Sequence, residues 1–248
     1  MGRVIHSLAF WGFMLMSSLV LFPVAVILCL ATMLIDRNRR ALHLFTCFWG
    51  SLYTWSNPAW RVQIKGREKI DSRQPTIFVA NHLSLLDVIL IFRLFTHFKW
   101  VSKTENFKVP LIGWNMRLNQ YIPVQRGHKA SVMQMMKDSK RSLNEGNSLF
   151  IFPEGSRSPD GQLRSFRTGA FDLALAERVP IQPILIRGTS NALPKRGFIL
   201  QGRHAMSVEV LDAIAPEKFE SMTAEELAHQ TRELIAHELE PPTLPSHS

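Results

Sequence analysis

Apolar and polar positions divide the chain into two regimes. Residues 4–35 contain no Asp, Glu, Lys or Arg, a run of 32 positions, and a second uncharged stretch rich in Trp and Phe occupies residues 41–60. A helix needs roughly 20 apolar residues to cross a bilayer core, so the first run is long enough to do so. From Arg61 onward short apolar runs alternate with helical periodicity, which predicts an α/β domain. Strands are expected at 61–66, 76–81, 98–102, 121–124, 148–155, 181–187 and 206–214. Helices are expected at 84–95, 128–144, 167–178 and 223–239, with short helical pieces around Pro110 and Gly113. Gly146 closes the second of these helices, whose Met135 and Met136 read as core packing. The pattern thus parses into membrane-anchoring helices over 1–60, an α/β domain over 61–240 and a loose tail over 241–248.

The N-terminal region allows several arrangements. Two full crossings would place Arg37, Arg39 and Arg40, which join the two apolar stretches, outside the membrane, against the positive-inside bias. A single span, or a helical hairpin dipping into the cytoplasmic leaflet, keeps these arginines at anionic headgroups and is preferred. A cleaved signal peptide is disfavoured, because its apolar region is about 7 to 15 residues. A helix pair buried in the protein core is the remaining alternative. Pro23 is expected to kink the first helix, and Trp49, Tyr53, Trp55 and Trp60 suit an interfacial belt.

Charge sharpens the second regime. The formal net charge is +9, but residues 216–240 carry seven acids against two bases and residues 1–60 carry +3, which leaves +11 on residues 61–215. A middle this basic calls for an anionic partner such as nucleic acid, acidic lipid headgroups or phosphorylated substrates. The two cysteines, Cys29 and Cys47, both lie in the apolar N-terminal stretches. No disulfide framework, CxxC or HExxH pattern is available, so neither a secreted stapled domain nor a zinc hydrolase is expected.

Two clusters carry candidate chemistry. In "VANHLSLLDVIL" an apolar run ends at Asn81-His82, and Asp87 then stands alone among aliphatic residues. An unpaired buried carboxylate costs several kcal/mol, so Asp87 needs a partner. Five residues along an ideal helix is a net rotation of about 140°, so His82 can meet Asp87 only from ahead of the helix. There Asp87 would hold one imidazole nitrogen and leave the other as a base. By itself this segment fits a structural histidine equally well. The second cluster, "FPEGSRS", sits at the end of the strand 148–155. Ligands of open α/β sheets bind at the carboxyl ends of strands, so the two clusters are expected to converge. Arg157 suits a phosphate, Glu154 can hold a hydroxyl or orient Arg157, and Gly155 lets a backbone amide approach a reacting oxygen.

"NHLSLLD" together with "FPEGSRS" resembles the NHxxxxD and FPEGTRS motifs of the glycerolipid acyltransferases. The similarity is strongest to those that act on 1-acylglycerol 3-phosphate. It extends through "KTENFKVPLIGW", "YIPVQR", "FRTGAF" and "VPIQPILI", over residues 60 to 190. Ser156 stands where Thr is commoner, and Asn119 lies near a usual Gly. The resemblance implies a mixed sheet flanked by helices, preceded by a membrane-associated helical pair. It also implies His82 as general base with Asp87 as its partner, Glu154, Gly155, Ser156, Arg157, Lys103 and Arg126 as substrate-binding residues, and neither metal nor cofactor. Arg167 ranks lower, since a solvated arginine explains most single basic residues.

The expected reaction moves a fatty acyl chain from acyl-CoA or acyl-carrier protein to the sn-2 hydroxyl of 1-acylglycerol 3-phosphate, giving phosphatidic acid. A positioned base is the ingredient such a reaction lacks, and no GxSxG elbow offers an acyl-enzyme nucleophile. The implied partners are the thioester donor, a lysophospholipid acceptor and membrane lipids, with no nucleic acid. The catalytic domain is expected on the cytoplasmic side of a membrane, the inner one in a bacterium. Glycerol 3-phosphate, another lysophospholipid or a lyso-aminolipid are alternative acceptors. A non-enzymatic basic protein that binds membrane or nucleic acid is the alternative of a different class.

Overall fold

The computed structural model describes residues 1–158, 161–194 and 197–239. The tail expected at 241–248 lies outside them, as does Glu240. Seven strands form one mixed sheet in the order β1-β7-β6-β2-β5-β3-β4. These are β1 (Trp60–Lys65), β2 (Ile77–Ala80), β3 (Lys99–Lys103), β4 (Ile122–Val124), β5 (Leu149–Ile151), β6 (Ile181–Arg187) and β7 (His204–Val210). β6 and β7 are antiparallel. The run β6, β2, β5, β3, β4 is parallel throughout, so the carboxyl ends of β2, β3, β4 and β5 share one edge.

Burial on both faces explains why β2 reads as an unbroken apolar run. Phe78 and Ala80 point into a core shared with Leu86, Phe92, Trp100 and Phe150. Ile77 and Val79 point into the opposite core, with Phe171 and Leu227. On the first side lie helices α2 (Arg40–Trp55) and α3 (Leu86–Ile91); on the second lie α6 (Gly169–Glu177) and α8 (Ala224–Leu239). Three shorter or peripheral helices complete the layers, α4 (Ile112–Leu118), α5 (Lys129–Asn144) and α7 (Thr189–Ala192).

Several elements are shorter than their apolar runs. β5 stops at Ile151, since Pro153 has no N–H for the ladder and Gly155 N turns back to Phe152 O at 3.0 Å. β7 stops at Val210. Pro183 of β6 offers no N–H there, although its carbonyl accepts from Leu211 N at 3.0 Å, and two-way pairing resumes at Ile214, which exchanges two hydrogen bonds with Ile181.

The two N-terminal helices differ in character. Helix α1 (Gly2–Thr32) is the one described helix long and apolar enough to cross a membrane. It packs lengthwise on the domain. Trp11 Nε1 donates to Phe198 O at 2.7 Å, the Ser18 and Tyr53 hydroxyls lie 3.2 Å apart, and Phe22 meets Trp114 at 5.6 Å. Its outward stripe, including Leu8, Leu15, Met16, Leu19, Val20, Ile27 and Leu30, is exposed. Helix α2 instead places Leu42, Cys47, Trp49 and Tyr53 in the domain core and leaves Leu44, Phe48 and Trp55 open. Trp49, Tyr53 and Trp60 are therefore buried, not interfacial as their sequence suggested. The Trp49 indole bonds the Tyr53 hydroxyl, and Trp60 packs against Phe10 at 5.1 Å. Of the four aromatic residues, Trp55 alone is exposed.

Candidate active site

The site begins where β2 ends. Asn81 is fully buried, and its side-chain amide continues the ladder that the backbone has left. Nδ2 donates to Ile186 O and Oδ1 accepts from Ile186 N, both at 2.8 Å. That anchors the chain as it turns into residues 82–85, ahead of α3. His82 stands in this turn and Asp87 in the first turn of α3, so the pair escapes the geometry that would separate them on one helix.

Asp87 Oδ2 accepts from His82 Nδ1 at 2.8 Å, Leu83 N at 2.6 Å and Ser84 N at 2.8 Å. All three donors fall on Oδ2, while Oδ1 is buried without a partner among the described residues; the carboxylate side chain is 0% exposed and the imidazole 15%. An ionised Asp87 fixes the imidazole proton on Nδ1, which leaves the Nε2 lone pair for a substrate. The Phe152 ring stacks on the imidazole at 4.0 Å and 13°, restricting its rotation.

The loop after β5 is tied to His82 twice. His82 N donates to Glu154 Oε1 at 2.7 Å, and Ser158 N donates to His82 O at 2.9 Å. Arg157, beside Ser158, is thereby carried into the same neighbourhood. The second oxygen of Glu154 accepts from Arg164 N at 3.2 Å, and the Arg164 guanidinium bonds the Ser156 hydroxyl. Both Glu154 oxygens thus accept from backbone N–H groups, contacts the sequence did not indicate. The Gly155 N–H closes the turn to Phe152. The missing Cβ of this glycine admits Arg167. At φ +74° a Cβ there would stand 2.7 Å from Arg167 Nε.

Arg126 follows β4 and Lys103 closes β3, both at the same sheet edge as His82. Lys103 is exposed and Arg126 half-buried. Burial and then the nearby Arg167 charge lower the Arg126 pKa from its ordinary value, with Glu105 opposing them. Neither the Arg126 nor the Arg167 guanidinium makes a hydrogen bond or ion pair among the described residues. The two like charges act against each other, with Glu105 the acid that offsets them in part at Arg126. Sequence reasoning ranked Arg167 low and missed Arg164 and the stacking of Phe152. The only signal for Arg164 was its place in a basic stretch, since its contact with Glu154 spans ten residues of loop.

Burial pushes the Glu154 carboxyl up from 4.5 to about 7; the Asp87 charge adds to the rise, and the N–H groups of His82 and Arg164 oppose it. With the folded pKa above the unfolded one, the native state holds the proton longer. Glu154 therefore contributes most to stability below about pH 4.5, and that contribution is lost as pH rises through about 7. The melting temperature of the wild type minus that of Glu154→Gln is expected to fall across this window and level off above it. A difference independent of pH would contradict the assignment.

Residues 61–187 match the Acyltransferase family model. Over 241 residues the chain is 32% identical to a 1-acyl-sn-glycerol-3-phosphate acyltransferase of Chlamydomonas reinhardtii, covering 96% of this chain and 70% of that protein. Over 164 residues it is 37% identical to a chloroplastic 1-acyl-sn-glycerol-3-phosphate acyltransferase of Arabidopsis thaliana, covering 65% of this chain and 46% of that protein. The chain thus spans about half the length of that plant relative. The fold is that of the 1-acyl-sn-glycerophosphate (LPA) acyltransferase from Thermotoga maritima. The TM-score is 0.75 at 23% identity, over 95% of both chains. By the family match, and by its similarity over nearly its whole length to the algal protein, this chain belongs to the acyltransferase family.

Proposed function

We propose that the chain transfers a fatty acyl group from an acyl thioester to the sn-2 hydroxyl of 1-acylglycerol 3-phosphate, with His82 as general base. The observation that carries this reading is the 2.8 Å contact of His82 Nδ1 with the buried Asp87 carboxylate, which leaves Nε2 unspent. Nε2 takes the proton from the acceptor hydroxyl as that oxygen attacks the thioester carbonyl. The C–S bond then breaks, and the imidazolium, stabilised by Asp87, returns the proton to the departing thiolate. Glu154 and Ser158 hold the His82 backbone while this happens. Arg157, Arg126 and Lys103 bind the acceptor phosphate, joined by Arg167 beside Gly155. Acyl-CoA or acyl-carrier protein serves as donor, and the basic surface suits either.

Residues 1–60 form the membrane anchor and 61–240 the catalytic unit, although the inner face of α2 makes the two fold as one. Because α1 is fastened to the domain from Trp11 to Phe22, it lies against the cytoplasmic leaflet with its outer stripe in lipid instead of leaving the domain as an isolated span. Lysophosphatidate, glycerol 3-phosphate and lysophosphatidylcholine, each offered with acyl-CoA or acyl-carrier protein, test the reading. Phosphatidic acid is expected to form fastest. Negligible transfer to lysophosphatidate beside ready transfer to another acceptor would overturn the assignment.

A further inference from the structure

Residues 197–201 join two places that the fold otherwise keeps apart. At one flank, Gln201 N donates to Ala192 O at 3.0 Å, and the neighbouring Leu193 O accepts from Ser84 Oγ at 2.7 Å, two residues beyond His82. At the other flank the segment leans on the first turns of α1. Leu200 N donates to Ser7 Oγ at 2.9 Å, Trp11 Nε1 to Phe198 O at 2.7 Å, and Arg3 reaches Gln201 Oε1 at 3.3 Å. Leu193 and Leu200 are buried by these contacts. Phe198 and Ile199, between the fastened points, are nonetheless 72% and 46% exposed.

A tip so well anchored has no need of two large apolar side chains in water. Phe198 meets Trp11 of α1 edge-on at 5.9 Å, Val4 and Leu8 on the same side of that helix are exposed as well, and the cationic Arg3 bonds the neighbouring Gln201. We propose that Phe198 and Ile199 enter the lipid surface together with the outer stripe of α1, and that this tip is where a lipid-borne acceptor passes from the bilayer towards His82. The first half rests on the apolar continuity with α1; the second rests on the acceptor being a lysophospholipid, as argued above. A lipid surface suits the site better than a protein partner, because the patch extends the apolar stripe of α1, and Arg3 at its margin pairs with phosphate headgroups.

Two measurements separate these halves. An environment-sensitive fluorophore is attached to Ile199→Cys, and as control to Glu225→Cys on the exposed face of α8, in full-length chain reconstituted into phosphatidylcholine bilayers. Cys29 and Cys47 are buried and stay unlabelled. Nitroxide-bearing lipids are expected to quench the label at 199 severalfold more than the label at 225. Equal quenching overturns the lipid contact, and this readout needs no turnover. Next, the double variant Phe198→Ser/Ile199→Ser is compared with wild type. Turnover of a monomeric short-chain lysophosphatidate is expected to stay unchanged, while turnover of a long-chain acceptor in vesicles falls about 5- to 10-fold, a small part of what full burial of two such side chains in lipid is worth. Equal loss on both acceptors, or loss on neither, overturns the passage role. A wild type that transfers to neither acceptor would refute the catalytic reading and leave the quenching result to decide the lipid contact.

Discussion

Replacing His82 with alanine is expected to lower kcat by about 10²- to 10⁴-fold, the usual worth of a positioned general base, while the fold persists. The fold persists because His82 contributes to the structure chiefly through its backbone. The N–H bonds Glu154 and the carbonyl accepts from Ser158, and alanine keeps both. What disappears is the imidazole, its stack on Phe152 and its bond to Asp87. Asp87 keeps the N–H groups of Leu83 and Ser84, so its charge is not abandoned. Thiol release from acyl-CoA at saturating acceptor, read beside a thermal melt, checks this. Activity within a few-fold of wild type with an intact melt would remove His82 from the reaction. Asp87→Asn is the sharper companion. An amide oxygen can still receive the two backbone bonds, yet it supplies no charge to stabilise an imidazolium, so a smaller loss of kcat with a small change in melting is expected.

The fold could be read from the sequence where local pattern and tertiary environment agree. β2 and β5 are apolar without interruption because helices cover both faces, and the runs that encode them are visible without a structure. His82 and Asp87 could be paired on paper since the strand end and the helix start between them are local signals. Three features could not be reached that way. The aromatic residues of α2 have the composition of a membrane interface, but Tyr53 is buried against Phe10 and Ser18 of α1, and the Trp49 indole bonds its hydroxyl. The buried Asn81 side chain pairs with the backbone N–H and C=O of Ile186, on a strand more than a hundred residues away. Glu154 finds its second partner across a loop whose path no periodicity specifies. In each case the missing information is long-range. Side chains chosen for distant neighbours look, in sequence, like ordinary polar or aromatic positions.

The second large effect concerns the acceptor phosphate. Arg126→Ala and Arg167→Ala are each expected to raise KM for lysophosphatidate by about 10- to 100-fold, the equivalent of a charge-assisted hydrogen bond of roughly 1.5 to 3 kcal/mol. Their effect on kcat should be much smaller, since neither guanidinium contacts His82 or Asp87. Arg167 passes over Gly155 and its charge bears on Arg126, where Glu105 offsets it only in part, so a bound phosphate would relieve the remaining repulsion. Removing either arginine should therefore leave the ligand-free protein as stable as wild type or slightly more so, a sign opposite to that expected of a structural arginine. On the proposal that both bind one phosphate, the double variant should lose less than the product of the single losses. A monoacylglycerol acceptor supplies the control: lacking the phosphate, it should show nearly the same KM with all four proteins. An equal rise in KM for both acceptors would mean that the arginines shape the cleft without binding the phosphate. A fall in melting temperature with no change in KM would place them in the scaffold alone.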